Sequence, residues 1–410
     1  VSSAPEPETP TTPTGGDYAP STAARMAFYQ RAGGVLTPII TTIFAFLIGG
    51  AVVAATGHNP FSTYKGIFEG TGLNWFFPWV GGDARIAAEF NLQQTLLVTT
   101  PLILTGLAVA FAFRCGMFNI GGQGQYTMGA ITSVWVGSVW AGLPGVPHAI
   151  IAIVLAMLAG ALWAGIAGIL KATVGAHEVI TTIMLNWIAY WIGTWAFGLG
   201  GPLQNDANKS VPISNDIVPN VHLHVWWGDA QLQGLHIGFF IAIAALVVYW
   251  FVLNRTTLGY EVRAVGYNPE AARYAGINVA RNYFLAMAIA GAFAGLGGAM
   301  DILGWQFRLG SLDVQTSTIG FIGIAVALLG RNTAVGVFFS SLLFGALLYG
   351  TSTRSLDPEV FPPQLAGNLT LMIQALVLLF IGADVLVIYV WNLRRKIRRK
   401  ETAPPAEAPV

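Results

Sequence analysis

Apolar runs of about 18 residues or more recur along this chain, parted by short polar segments, and each is long enough to cross a bilayer as a helix. In hydrocarbon every backbone N–H and C=O must find its partner within the protein, so only helices and closed barrels span it. The runs are continuous and do not alternate, which excludes a barrel. Composition agrees: 54% of the 410 residues are hydrophobic and 10% are charged, with a mean hydropathy of +0.62. A soluble domain carries about 25% charged residues. The chain reads as an all-α polytopic membrane protein.

Ten spans are predicted, at roughly 35–56, 92–113, 117–140, 147–170, 178–198, 236–253, 283–303, 316–330, 333–350 and 365–390. With both termini cytoplasmic, fifteen of the twenty Lys and Arg residues fall in interior segments, as the positive-inside rule requires. The first 24 residues, rich in Pro and Thr, read as a disordered cytoplasmic tail, and residues 401–410 read the same way. Between them, 25–400 forms the membrane domain. The basic run LRRKIRRK beyond the last span reads as an anchor to anionic lipid, with Asp384 marking the inner end of the apolar core.

Against this background Phe118–Ala130, FNIGGQGQYTMGA, stands out. Four glycines and four polar residues sit where the third span should enter hydrocarbon. Unpaired polar groups there cost several kcal/mol each, so protein or a water-filled cavity must surround them. Spans 2–5 and 7–10 read as an inverted repeat, which matches the third span to the eighth, TSTIGFIGIAVALLG, a short span interrupted by Gly320 and Gly323. Short or glycine-interrupted spans in matching positions point to a solute path. The path residues are Asn119, Gln123, Gln125, Thr127, Asn186, Asp301, Gly320 and Gly323. Glu178, Thr182 and Asn186 share one helix face, with Glu178 placed either to cap that helix or to face the path. Gly291 and Gly295, four apart in span 7, allow two helices to approach closely.

The longest polar interior segment, 254–281, holds a helix of its own. Asn268 suits its cap, Pro269 its first position and Gly276 its stop. Such a structured loop is suited to a cytoplasmic partner. Two exterior segments, His58–Asn91 and Gly200–Leu235, are long enough to receive another partner, and their aromatics also suit interface anchoring. His222 and His224 lack the further ligands of a metal site, and no metal or cofactor is expected.

No phosphate loop is present, and none of the five lysines follows a glycine-rich turn, so any ATP hydrolysis belongs to another chain. No nucleophile–base constellation marks an enzyme, so no catalytic residue is assigned, and no basic aromatic surface suits nucleic acid. Amides and hydroxyls, without a chain of acids, suit a neutral polar solute.

Four segments carry a family resemblance: GMFNIGGQGQYTMGA, GAHEVITTIMLNWIAYW, VGYNPEAARYAGINVARN and IGIAVALLGRNTAVGVFFSSLLFGALLYG. They resemble the permease subunits of bacterial ABC importers of the branched-chain amino acid/ribose/nucleoside type, nearest to the nucleoside (purine nucleoside) branch. The usual form of the first motif has Ala and Glu where this chain has Gly122 and Gln123, so the charge is absent here. The resemblance implies a multi-pass protein of the bacterial inner membrane. It also implies a second permease, identical or related, a cytoplasmic ATPase pair and an exterior substrate-binding lipoprotein. The segment Gly266, Asn268, Pro269, Glu270, Arg273 and Gly276 would dock on the ATPase. A sugar such as ribose, or an amino acid, is the alternative solute. A gradient-driven transporter acting alone is the alternative mechanism.

Overall fold

The computed structural model describes residues 22–140, 142–351, 368, 371–376 and 379. Most of the tenth predicted span, Asp384, the basic run after it, residues 1–21 and 401–410 lie outside the described residues. Within the described part the chain is helical, with one two-stranded hairpin, and six of its helical segments are long and apolar enough to cross a membrane.

Helix α1 (Thr22–Ala55) begins inside the range expected for the tail and leads to α2 (Pro60–Gly70). Asn59 starts α2 by accepting the Phe61 N–H at 2.9 Å, and Pro60 fills the first position, where a missing N–H costs nothing. Helix α3 (Gly82–Arg114) starts ten residues before the predicted span, because its first turns lie under the loop cap rather than in an apolar run. It is buried on nearly every side from Thr99 to Ala112 and forms the central post, as an all-round apolar helix should.

Around it stand α4 (Gly122–Val139), α5 (Gly145–Val174), α6 (Glu178–Phe197) and α7 (Gly238–Arg255), followed by the short α8 (Thr257–Tyr267) and α9 (Pro269–Tyr274). Then come α10 (Val279–Asp301), a π-turn at Ile302–Gln306, α11 (Ser311–Thr316), α12 (Ile319–Leu329) and α13 (Ala334–Gly350). Helix α5 shows how a membrane helix inverts the soluble pattern. Ala152, Ala156, Gly160 and Ala164 face inward, while Ile150, Val154, Leu158 and Leu162 face outward toward lipid.

Those small residues let backbones touch. A Cβ on Gly160 would lie 2.2 Å from the Gly291 carbonyl oxygen, one on Gly295 2.3 Å from that of Ala156, and one on Gly129 2.5 Å from the Gly295 Cα. Helix α10 is thus pressed between α5 and α4 with almost no side chain between them, which is the close approach expected of Gly291 and Gly295.

The two long segments predicted to be exterior meet at the N-terminal end of α3. Strand β1 (Val225–Trp227) pairs antiparallel with β2 (Leu235–His236). Trp227 donates to the Glu89 carboxylate at 2.7 Å and packs edge-on against Trp75, so both segments make one cap. At the other end of α3 lie α8 and α9.

Candidate functional site

The stretch Phe118–Gly121 is not helical, and α4 begins at Gly122. The start of a helix leaves its first N–H groups without partners, a serious cost away from water. Here side-chain amides supply them. Asn186 on α6 accepts the Gly124 N–H at 2.8 Å and donates to the Ile120 carbonyl at 2.9 Å. Asn119 and Gln125 form a reciprocal amide pair at 3.1 and 2.9 Å, and Asn119 also accepts the Gly121 N–H at 2.9 Å. All three amides are buried. Three of the predicted path residues therefore spend their hydrogen-bonding groups holding the entrance of α4 in shape.

Gln123 reaches across to α12. Its Oε1 accepts the Gly320 N–H at 2.8 Å, so α4 caps a helix whose own Thr318 offers no side-chain cap. Its Nε2 is buried without a hydrogen-bond partner. The third and eighth predicted spans are thus brought into direct contact. The predicted interruption moves, however. Gly320 and Gly323 lie inside an unbroken α12, and the break falls before them at Ser317–Thr318, between α11 and α12. The glycines serve close approach: a Cβ on Gly320 would lie 2.3 Å from the Gln123 Cα, and one on Gly323 2.8 Å from the Thr105 side chain.

Above this junction lies a cavity of about 360 Å³, within the ~300–1,000 Å³ typical of small-molecule pockets. Thr127 and Tyr126 on α4, Asp301 at the end of α10, Trp305 and Gln306 in the π-turn, and the Ser317–Thr318 break line it. Asp301 is 3% exposed. Its carboxylate accepts the Tyr126 hydroxyl, and its Oδ1 accepts the Trp305 indole N–H at 3.0 Å. The turn that aims Trp305 is held from outside. Leu223 donates to the Leu303 carbonyl at 2.8 Å, Ile217 to that of Phe307 at 2.9 Å, and Ser214 to that of Leu309 at 2.8 Å. Phe307 takes a left-handed φ of 60° and stacks on His222 at 3.8 Å. Such π-turns and left-handed non-glycine residues gather at functional sites. Sequence reasoning found Asp301 but not Tyr126 or the Ser317–Thr318 break. Tyr126 does sit within the polar stretch, and Thr-Ser-Thr before an apolar run was the available sign of the break.

At the far end, Asn268 caps α9 by accepting the Ala271 N–H at 3.1 Å, with Pro269 next and Gly276 beyond the end at a φ of 83°. The predicted short helix is present, one residue shorter, and α8 precedes it, started by Thr256 accepting the Gly259 N–H at 3.1 Å. Gly266 lies inside the site only in a packing sense: a Cβ there would be 2.3 Å from the Arg114 carbonyl oxygen, so α8 rests on the end of α3. Arg114 in turn donates to the Asn332 carbonyl at 3.0 and 2.6 Å, fastening the α12–α13 turn. Glu270 and Arg273 pair at 3.5 Å on the surface, and Tyr267 and Tyr274 are 89% and 90% exposed beside them. Glu178 does not serve as the cap residue of α6; it pairs with Lys171 at 2.8 Å across the α5–α6 turn.

Residues 91–382 match the protein family described as branched-chain amino acid transport system / permease component. The chain is 35% identical to the guanosine ABC transporter permease protein NupP of Bacillus subtilis, over 90% of its own length and 98% of the relative's. It is 35% identical to the nucleoside ABC transporter permease protein NupB of Lactococcus lactis, over 86% and 92%. It is also 34% identical to the glucose ABC transporter permease protein TsgB13 of Haloferax volcanii, over 84% and 86%.

Proposed function

The chain belongs to the branched-chain amino acid transport system / permease component family, and from that premise we propose that it forms the membrane path of an ATP-driven importer of nucleosides. The carrying observation is its 35% identity, across nearly the whole length of both chains, to a permease named for guanosine. The cavity supports the reading. Its described lining includes the carboxylates of Asp301 and Asp313, hydroxyls and aromatic rings, and no Lys, Arg or His, which disfavours an anion and suits a polar solute that presents N–H or O–H donors.

A separate cytoplasmic ATPase drives transport, a second permease, identical or related, completes the path, and an exterior binding lipoprotein delivers the solute. Ten spans with both termini inside accommodate this arrangement, with spans 2–5 and 7–10 as inverted halves. The contact of α4 with α12 supports that pairing. The basic residues Arg114, Arg263, Arg273 and Arg331 belong to the end that carries α8 and α9, which supports placing that end in the cytoplasm. There the Asn268–Gly276 segment, with exposed Tyr274 in it and Tyr267 just before it, docks on the ATPase.

A sugar is the second reading, supported by the relative named for glucose. Reconstitution decides. The full complex in proteoliposomes, given ATP, should accumulate labelled guanosine and uridine and leave glucose outside. Accumulation of glucose alone supports the sugar reading. Robust uptake by the permease without any ATPase would overturn the ATP-driven reading.

A further inference from the structure

We propose that Asp301 is the group that reads the base: its carboxylate accepts an N–H from the solute's ring edge, favouring bases that present donors over those that present acceptors. The proposal rests on the nucleoside reading above and names how that cavity selects.

An aspartate 3% exposed at the end of a membrane helix is expensive, since burying an ionised carboxylate costs several kcal/mol unless it is fully partnered. No cation pairs with Asp301 among the described residues. Its partners are two neutral donors, the Tyr126 hydroxyl and the Trp305 indole N–H. A carboxylate offers about four acceptor positions, so two donors leave it half used. It also lines the cavity. A structural carboxylate is better served by a lysine or arginine, as Glu178 is by Lys171. An acceptor left half satisfied beside a cavity is suited to a ligand's donor.

The neighbours fit the same solute. Trp305 and Tyr126 supply aromatic surface next to the carboxylate on the cavity wall. The π-turn and the left-handed Phe307 directly follow Asp301, so the backbone that positions Trp305 is irregular where precision is needed. A guanine edge presents a ring N–H and an amino group side by side, the geometry that engages a carboxylate twice. The corresponding ring nitrogen of adenine is an acceptor and meets the carboxylate with like polarity. A site built around a hydrogen bond rejects the analogue that lacks it far more strongly than an apolar pocket rejects a missing methylene.

The test uses the complete transporter in proteoliposomes with saturating binding protein, and compares guanosine, 1-methylguanosine and adenosine. For Asp301→Asn, which keeps the side chain's shape and an oxygen for Trp305, the guanosine-to-adenosine ratio of kcat/KM should fall at least tenfold. In the wild-type complex, which needs no variant to fold, 1-methylguanosine should enter at least tenfold more slowly than guanosine. Unchanged solute ratios in an assembled Asp301→Asn complex would overturn the proposal and leave the nucleoside reading standing. Equal entry of guanosine and 1-methylguanosine would do the same. A wild-type complex that carries glucose and no nucleoside would overturn both.

Discussion

Gln123 shows how one amide can join two helices. Its oxygen sits at the positive end of α12 and takes an N–H that no local residue caps. Gln123→Leu should destabilise the purified complex by about 1 kcal/mol, the usual worth of a lost cap, visible as a lower melting temperature. Gln123→Glu keeps the acceptor, and the charge that the helix end favours offsets part of the cost of burying it, so this variant should melt above Gln123→Leu. Melting curves of the two variants, read side by side, check both. The same residue shows where sequence reading stops. A run of amides in hydrocarbon announces that partners exist. It does not say whether the partner is a solute or a neighbouring helix end, because both present the same N–H. Asn119, Gln125 and Asn186 fell on the helix-end side by contacts as far as 66 residues apart in sequence.

At the scale of elements, α8 and α9 form a small platform resting on the end of α3, with Glu270 and Arg273 exposed upon it. That surface pair contributes little to folding, under about 1 kcal/mol. Glu270→Ala with Arg273→Ala should therefore leave expression and melting temperature intact while lowering both ATPase association and uptake severalfold. Pull-down and uptake on the same membranes measure this, and full uptake would remove the docking role. The capped helix α9 was readable because its signals are local: Asn268, Pro269 and Gly276 act within one turn. The π-turn after Asp301 was not, since it is held by hydrogen bonds from residues 214–223, some 80 to 95 residues earlier in the chain. Nor was the true start of α3, whose first ten residues lack the apolar run that marks a span.

For the whole molecule, the proposed orientation is testable at single introduced cysteines. Its one cysteine, Cys115, is buried, and burial pushes the thiol up to about 12, far from the thiolate that labels react with. Asn208→Cys at the end that carries the β1–β2 hairpin and Tyr267→Cys on the α8–α9 end therefore report alone. In intact cells a membrane-impermeant maleimide should label the first, and the second only after permeabilisation. The reverse pattern would invert the proposed topology.

The glycine seam between α4, α5 and α10 has a consequence for how such a protein changes over generations. Where backbones touch, every replacement of glycine adds at least one carbon, and no neighbouring side chain stands there to turn aside. Compensation by a second mutation is narrow, because the facing positions are themselves glycine or alanine, as Gly160 and Ala164 are opposite Gly291. Variation is freer elsewhere, on the cavity wall formed by the π-turn, α11 and the broken start of α12. The seam is in this sense a hereditary fixed axis, around which the cavity wall can drift while the frame stays still.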